Sequence, residues 1–344
     1  MTLVAEPPEL PPEAPPAAAT QPPTTLTPLP AALADVTNSN AGLRRFLHGL
    51  PGVDQVGAQA RVSKLNTRSI KNDSKSWAID TAISMVDLTT LEGADTHGKV
   101  RALCAKGRHP DAADPSCPEV AAICVYGDMV STARQALAGS AIKVAAVATA
   151  FPSGRASLAV KLADTADAVA AGADEIDMVI DRGAFLSGDY QRVFDEIEAV
   201  RQACHDHGHI AHLKVILETG ELVTYDNVRR ASWLAMLAGA DFIKTSTGKV
   251  QPAATLPVTL VMLEAARDFR VISGRQVGVK AAGGIRTAKD AVKYLVLVNE
   301  SAGQDWLSAN MFRFGASTLL NDLIRQRRRM SSGHYTGADH VTLD

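Results

Sequence analysis

From about residue 78 onward the chain repeats one alternation eight times: a short β-rich apolar run, then a stretch with helical spacing. The runs are residues 82–91 (AISMVDLTTL), 120–126 (VAAICVY), 142–151 (IKVAAVATAF), 175–181 (EIDMVID), 212–219 (HLKVILET), 241–247 (DFIKTST), 276–283 (QVGVKAAG) and 312–317 (FRFGAS). Between them lie amphipathic segments such as YQRVFDEIEAVRQACHDHG and TLPVTLVMLEAARDFR. Apolar character within each run is continuous, the mark of strands covered on both faces. Eight such units in about 250 residues predict an α/β chain folded as a TIM (β/α)8 barrel. A dinucleotide-binding open sheet fits less well, because no GxGxxG follows the first run.

The rest of the chain is arranged around that domain, expected over residues 78–330. Residues 1–30 hold ten of the 17 prolines and no Lys or Arg. Such a segment forms neither helix nor central strand, so it is expected to be a disordered leader. Residues 31–77 read as a helical extension, and residues 331–344 as a flexible tail. A net charge of −2 offers no global field for nucleic acid or an anionic membrane. No apolar stretch approaches a membrane span. Cys104, Cys117, Cys124 and Cys204 show no CxxC spacing, and no basic and apolar signal opens the chain. Both features lead to the expectation of a cytoplasmic protein with reduced thiols.

In a TIM barrel the chemistry sits where the strands end. Here three successive strands each carry a lysine: Lys214, Lys244 and Lys280. Asp87 and Thr89 end the first run, and Glu175 and Asp177 lie in the fourth. A lysine in water is protonated and not nucleophilic. Burial and a neighbouring cation both favour the free amine, so Lys280 on the adjacent strand would push Lys244 toward that form. A free amine in a dry pocket attacks carbonyls, and the iminium formed stabilises a carbanion at the next carbon. A carboxylate such as Asp177 can then move protons to and from hydroxyls. The glycines add a second function. KAAGGIRTAKDA and FGASTLLNDL each run from a strand through a small-residue turn into a helix, after the seventh and eighth strands. Backbone N–H groups at such turns bind phosphate, and Lys249 in TSTGK could add a contact.

The stretches DLTTL, AAICVY, GADEIDMVI, LKVILETGEL, GADFIKTSTGKV, VKAAGGIRT and RFGASTLL together resemble deoxyribose-phosphate aldolase, a class I Schiff-base aldolase family, from about Ala82 to Leu320. The resemblance implies that Lys244 is the Schiff-base lysine, Lys280 the second catalytic lysine and Asp177 the proton relay. It implies that Asp87, Thr89, Cys124 and Lys214 line the substrate pocket. Gly248, Lys249, Gly283, Gly284, Ile285, Arg286, Gly315, Ser317 and Thr318 would hold a phosphate. The implied substrates are a phosphosugar and small aldehydes, with no cofactor and no metal. Some members of the family use a mobile C-terminal tyrosine, and Tyr335 is the residue that could match it. The sequence leaves a homo-oligomer open.

Two other motifs invite different chemistry. HDHGHIAH (205–212) has the composition of a zinc site. It falls before the fifth strand, at the end of a barrel opposite the chemistry, and reads as a polar loop. RQRRRM (325–330) reads as the basic, solvent-facing end of a helix rather than a nucleic-acid patch.

Overall fold

The computed structural model describes residues 28–70, 72–206, 208–334 and 337. The leader through residue 27 and Tyr335 lie outside the described residues. Eight parallel strands close into a barrel: β1 (Val86–Thr89), β2 (Ala122–Tyr126), β3 (Lys143–Ala148), β4 (Glu175–Val179), β5 (His212–Ile216), β6 (Phe242–Lys244), β7 (Gly278–Ala282) and β8 (Phe312–Ala316). Each strand pairs with the next in sequence, and β8 closes on β1 with Asp87 opposite Gly315.

Because successive residues of a strand point to opposite faces, the barrel sorts its side chains into two environments. Ile123, Val125, Val144, Ala146, Ile176, Met178, Val215, Ile243 and Val279 belong to the large core shared with the helices. The alternate positions point inward. On the β2–β3 side they are small and apolar: Ala122, Cys124, Ala145 and Val147, joined by Leu91, Tyr126 and Phe151. On β1 and on the β4–β8 side the inward positions carry the charges: Asp87, Glu175, Asp177, Lys214, Lys244, Lys280 and Arg313. Phe242 also points inward, and Gly278 makes room for it, since a Cβ there would lie 2.3 Å from the Phe242 ring.

The helices follow from ordinary local signals. The longest, Leu256–Ser273, starts where Thr255 accepts a hydrogen bond from the Val258 N–H and carries Pro257 in its first turn. It stops at Gly274, whose φ of 73° suits a residue without a Cβ. The N-terminal extension is helical as expected. Helices Asn40–Gly49 and Gln55–Asn66 are capped by Ser39 and Asp54. Leu43 and Leu47 are fully buried, and Phe46 meets Trp233 edge-on at 5.5 Å between centroids. Helix Asn72–Ser84 absorbs Ala82, Ile83 and Ser84, so the first apolar run is half helix and half strand.

The histidine-rich loop forms a small antiparallel hairpin, His205–Asp206 against His209–Ile210, directly before β5. The His209 ring lies 2.8 Å from the Ala173 carbonyl oxygen, also on the strand-entry side of the barrel. His207 is outside the described residues. Among the described residues no group of three His, Cys, Asp or Glu side chains is arranged to hold a metal ion. The basic run on helix Leu319–Ser332 departs from expectation. Arg327 donates to Asp80 at 2.8 Å and also to Asp114 and Ser116, while Arg328 forks onto Asp111 at 2.7 and 2.8 Å. These arginines tie the helix to helix Asn72–Ser84 and to the loop at Asp111–Ser116 instead of facing solvent alone. Among the described residues no helix is long and apolar enough to cross a membrane.

Candidate active site

Lys244 is the last residue of β6, and its register partners are Ile216 in β5 and Lys280 in β7. Two residues lower on β5, Lys214 pairs in register with Asp177 of β4. The three lysines therefore converge on one carboxylate. Lys244 Nζ and Lys280 Nζ each donate to Asp177 Oδ2 at 2.8 Å, and Lys214 Nζ donates to Asp177 Oδ1 at 3.0 Å. Asp177, Lys214 and Lys280 are fully buried, and Lys244 is 3% exposed. Buried charges persist only when paired, and here pairing is complete.

The remaining charges continue from this centre. Lys214 also donates to Glu175. Lys280 Nζ lies 2.6 Å from Asp87 Oδ2, a contact of charge rather than an aligned hydrogen bond. Arg313 of β8 reaches both outer carboxylates, Asp87 Oδ1 at 2.6 Å and Glu175 Oε1 at 3.0 Å. The guanidinium also sits 5.9 Å from the centre of the Phe242 ring. Neither Arg313 nor the structural use of Glu175 follows from the motifs above. The available signal was an arginine between Phe312 and Phe314, at an inward position of an apolar strand.

The environment treats the three lysines differently. Burial depresses the Lys244 pKa, the Asp177 carboxylate opposes that only partly, and Lys280 adds to the depression. Burial would also depress Lys280, but Asp177 and Asp87 together outweigh it and hold Lys280 well above the ordinary lysine range. Lys214 is likewise raised, because Asp177 and Glu175 overcome its burial. Burial alone would raise the Asp177 pKa, yet the three lysines around it, Lys214 foremost, drive it well below the usual carboxylate range. Of the three, Lys244 alone is shifted toward the amine, while its two neighbours are shifted toward the cation. Cys124, next to this group, has its thiol pushed up by burial and stays protonated.

Above the cluster a cavity of about 370 Å³ opens at the strand ends. Lys244 lines it, together with Thr89, Thr247 and Gly248, and with turn residues of β7 and β8. Gly283 and Gly284 have φ of 81° and 83°, and a Cβ on Gly283 would come within 2.7 Å of the Ala253 Cβ. These turns need glycine. Of the expected anion-binding residues, Gly248, Lys249, Gly283, Gly284, Ile285, Arg286, Gly315, Ser317 and Thr318 all line the same cavity. Lys249 is held across the rim by Glu92 at 2.8 Å. Lys99 also lines the cavity and pairs with Asp95 at 2.7 Å. Asp87, Cys124 and Lys214 sit beneath the floor, fully buried, rather than on the wall. A roomier groove of about 690 Å³ lies between the N-terminal extension and helix Ala288–Ala302, lined by Trp77 and Leu295, and contains none of these groups.

One more residue was invisible to motif reading. Glu218 follows β5 in a left-handed conformation (φ 53°) and is fully buried. It accepts the Thr247 hydroxyl and, at 3.2 Å, the Thr247 N–H. Thr247 Oγ1 in turn accepts the Lys249 N–H at 3.1 Å, so Glu218 braces the turn that follows Lys244.

Comparison with known proteins agrees with this geometry. The family model for DeoC/LacD family aldolases matches residues 81–325, the whole barrel. The chain belongs to the DeoC/LacD aldolase family. Among relatives, this aldolase is 46% identical over 278 residues to deoxyribose-phosphate aldolase of Mus musculus, covering 78% of this chain and 86% of the mouse protein. The Homo sapiens enzyme of the same name is 45% identical over the same length and coverage. In fold, the aldolase is similar to the tetrameric deoxyribose phosphate aldolase of Aeropyrum pernix, with a TM-score of 0.57 and 24% identity, covering 76% of this chain and 97% of that one.

Proposed function

We propose that this aldolase cleaves 2-deoxy-D-ribose 5-phosphate reversibly to D-glyceraldehyde 3-phosphate and acetaldehyde through a Schiff base on Lys244. The observation that carries the reading is the Lys244 amine. It forms part of the floor of a glycine-walled cavity, has a depressed pKa, and lies 2.8 Å from a carboxylate.

The steps follow from that geometry. The Lys244 amine attacks C1 of the open-chain sugar, and loss of water gives the iminium. Asp177 lies at the amine, which donates to it, and is kept ionised by the Lys214 and Lys280 cations. It takes the proton of the C3 hydroxyl, directly or through a water. The C2–C3 bond breaks, its electron pair forms the enamine C1=C2 bond, and glyceraldehyde 3-phosphate departs. A proton returned to C2 regenerates an iminium, and water then releases acetaldehyde and the free amine. Lys280 stays a cation, which steadies Asp177 and disfavours protonation of the free Lys244 amine. The substrate phosphate would rest on the turns at Gly283–Gly284 and Ser317–Thr318, at the start of helix Leu319–Ser332. Lys249, Arg286 and Lys99 supply cations on the same rim.

A coupled assay for glyceraldehyde 3-phosphate released from 2-deoxyribose 5-phosphate tests the reading. Wild-type protein is expected to turn over, and Lys244→Arg to be inactive. Retention of most activity by Lys244→Arg would sink the assignment, since a phosphosugar isomerase using the same turns needs no strand lysine.

A further inference from the structure

The ion pairs beneath the cavity close into a ring. Arg313 holds Asp87, Asp87 meets Lys280, Lys280 meets Asp177, Asp177 meets Lys214, Lys214 meets Glu175, and Glu175 returns to Arg313. Three carboxylates alternate with three cations, and the ring is neutral without Lys244. Lys244 hangs from it as a seventh group, through Asp177 Oδ2 alone. A proton on Lys244, which is 3% exposed, would leave one uncompensated positive charge in the buried cluster, a costly arrangement.

We propose that Arg313 and Glu175, neither of which lines the cavity, are positioning residues that fix this charge balance and thereby leave Lys244 as the member without a proton. The proposal rests on the Schiff-base reading above and adds what sets the state of its nucleophile. The groups around Lys244 are accounted for strand by strand. Asp87 comes from β1, Cys124 from β2, Glu175 and Asp177 from β4, Lys214 from β5, Lys280 from β7 and Arg313 from β8. His212 of β5 lies in register beside Glu175, and burial lowers its pKa, so it adds no cation to the ring. β3 opens with Lys143 at the strand entry, and its inward positions nearer the site are Ala145 and Val147. Of the loop charges, Glu218 pairs with Arg182 at 3.7 Å, Lys249 with Glu92 and Lys99 with Asp95, and Arg286 adds a cation on the cavity rim. Arg313 is the one ring cation that touches neither Asp177 nor Lys244, yet without it the ring would carry a net negative charge.

Charge balance makes a signed prediction that a packing role does not. Removing the Arg313 charge leaves a net negative ring, which favours protonated Lys244. Removing the Glu175 charge leaves a net positive ring, which favours the amine. The readout is the pH dependence of the rate at which acetaldehyde and cyanoborohydride trap Lys244, mapped by peptide mass spectrometry. Acetaldehyde carries no phosphate, so the rim does not enter. Relative to wild type, the acid limb is expected to move up by about one pH unit in Arg313→Gln and down by about one in Glu175→Gln. It should return to its original place in the double variant and stay there in Arg313→Lys. Should Arg313→Gln not fold, the downward shift in Glu175→Gln and the unmoved limb in Arg313→Lys carry the test. Single variants that shift in the same direction, or not at all, while wild type is trapped at Lys244, overturn the charge-balance proposal alone. No trapping at Lys244 in wild type overturns the Schiff-base reading and this proposal with it.

Discussion

Replacing Asp177 with Asn separates the two halves of the proposed chemistry. The carboxylate accepts contacts from three lysine nitrogens at 2.8, 2.8 and 3.0 Å. At an effective dielectric near 20, each contact with a charged ammonium, Lys280 or Lys214, has a gross attraction of about 6 kcal/mol. Desolvation offsets most of that, and breaking a buried pair costs about 3–5 kcal/mol of stability in practice. Asp177→Asn should therefore fold with a lowered Tm. Its effect on chemistry is more specific. Losing a general base costs about 10²–10⁴ in rate, and the amide cannot accept the C3 hydroxyl proton. The amine itself is not lost. With one carboxylate fewer around it, Lys244 has even less reason to bind a proton, so Schiff-base formation with acetaldehyde should survive. The two assays are turnover of 2-deoxyribose 5-phosphate and borohydride trapping of the acetaldehyde adduct. The account expects turnover down at least about a hundredfold with trapping retained. Turnover within about threefold of wild type would remove Asp177 from the mechanism. Equal loss of both would make it a packing residue.

Three other outcomes follow from particular contacts. A Cβ on Gly315 would lie 2.8 Å from the Ala282 Cβ and 3.0 Å from Lys280 Cε, so Gly315→Ala should displace Lys280 and lower kcat more than it raises KM, measured in the coupled assay. All four cysteines are buried and their thiols are pushed up, Cys104 and Cys117 to about 11 and Cys204 to about 12. A thiol-disulfide reagent at pH 8 should therefore label the native protein very slowly and release four equivalents only after denaturation. Asp87, Glu175 and Asp177 all have folded-state pKa values below their ordinary ones. Their contribution to stability is complete above the unfolded values near pH 4 and is lost as pH falls through the depressed folded values, so Tm should drop steeply on acidification below about pH 4.

Much of the barrel could be read from the chain because each strand keeps its outward positions apolar. All eight runs contain a strand, and the family of βα units follows from their number. Boundaries were less legible. Ala82–Ser84 continue a helix before β1, and Thr149 and Ala150 leave β3 with positive φ, although both segments are as apolar as the strands beside them. The idea of continuous apolar strands holds for β2, and for β3 beyond Lys143, but not for β1 or for β4 to β8, where inward charges interrupt the pattern. Those interruptions were the most informative residues in the sequence. Lys214, Lys244, Lys280 and Asp177 stood out because a charge inside an apolar run demands a partner. What sequence could not supply was the pairing itself. Arg313 is 226 residues from Asp87 and 138 from Glu175, and only closure of the barrel brings them together. Glu218 was hidden for a similar reason, since its partner Thr247 lies on the next strand's loop. The arginines near the C-terminus looked solvated because their aspartates, Asp80, Asp111 and Asp114, are more than 200 residues away.

The most direct measurement is the site of covalent capture in the unmodified protein. Incubation with acetaldehyde and borohydride, followed by digestion and peptide mass spectrometry, should place a single ethyl group on Lys244 and leave Lys214 and Lys280 unmodified. Capture at either of those two lysines, or at none, contradicts the claim that this barrel holds one neutral amine among paired charges.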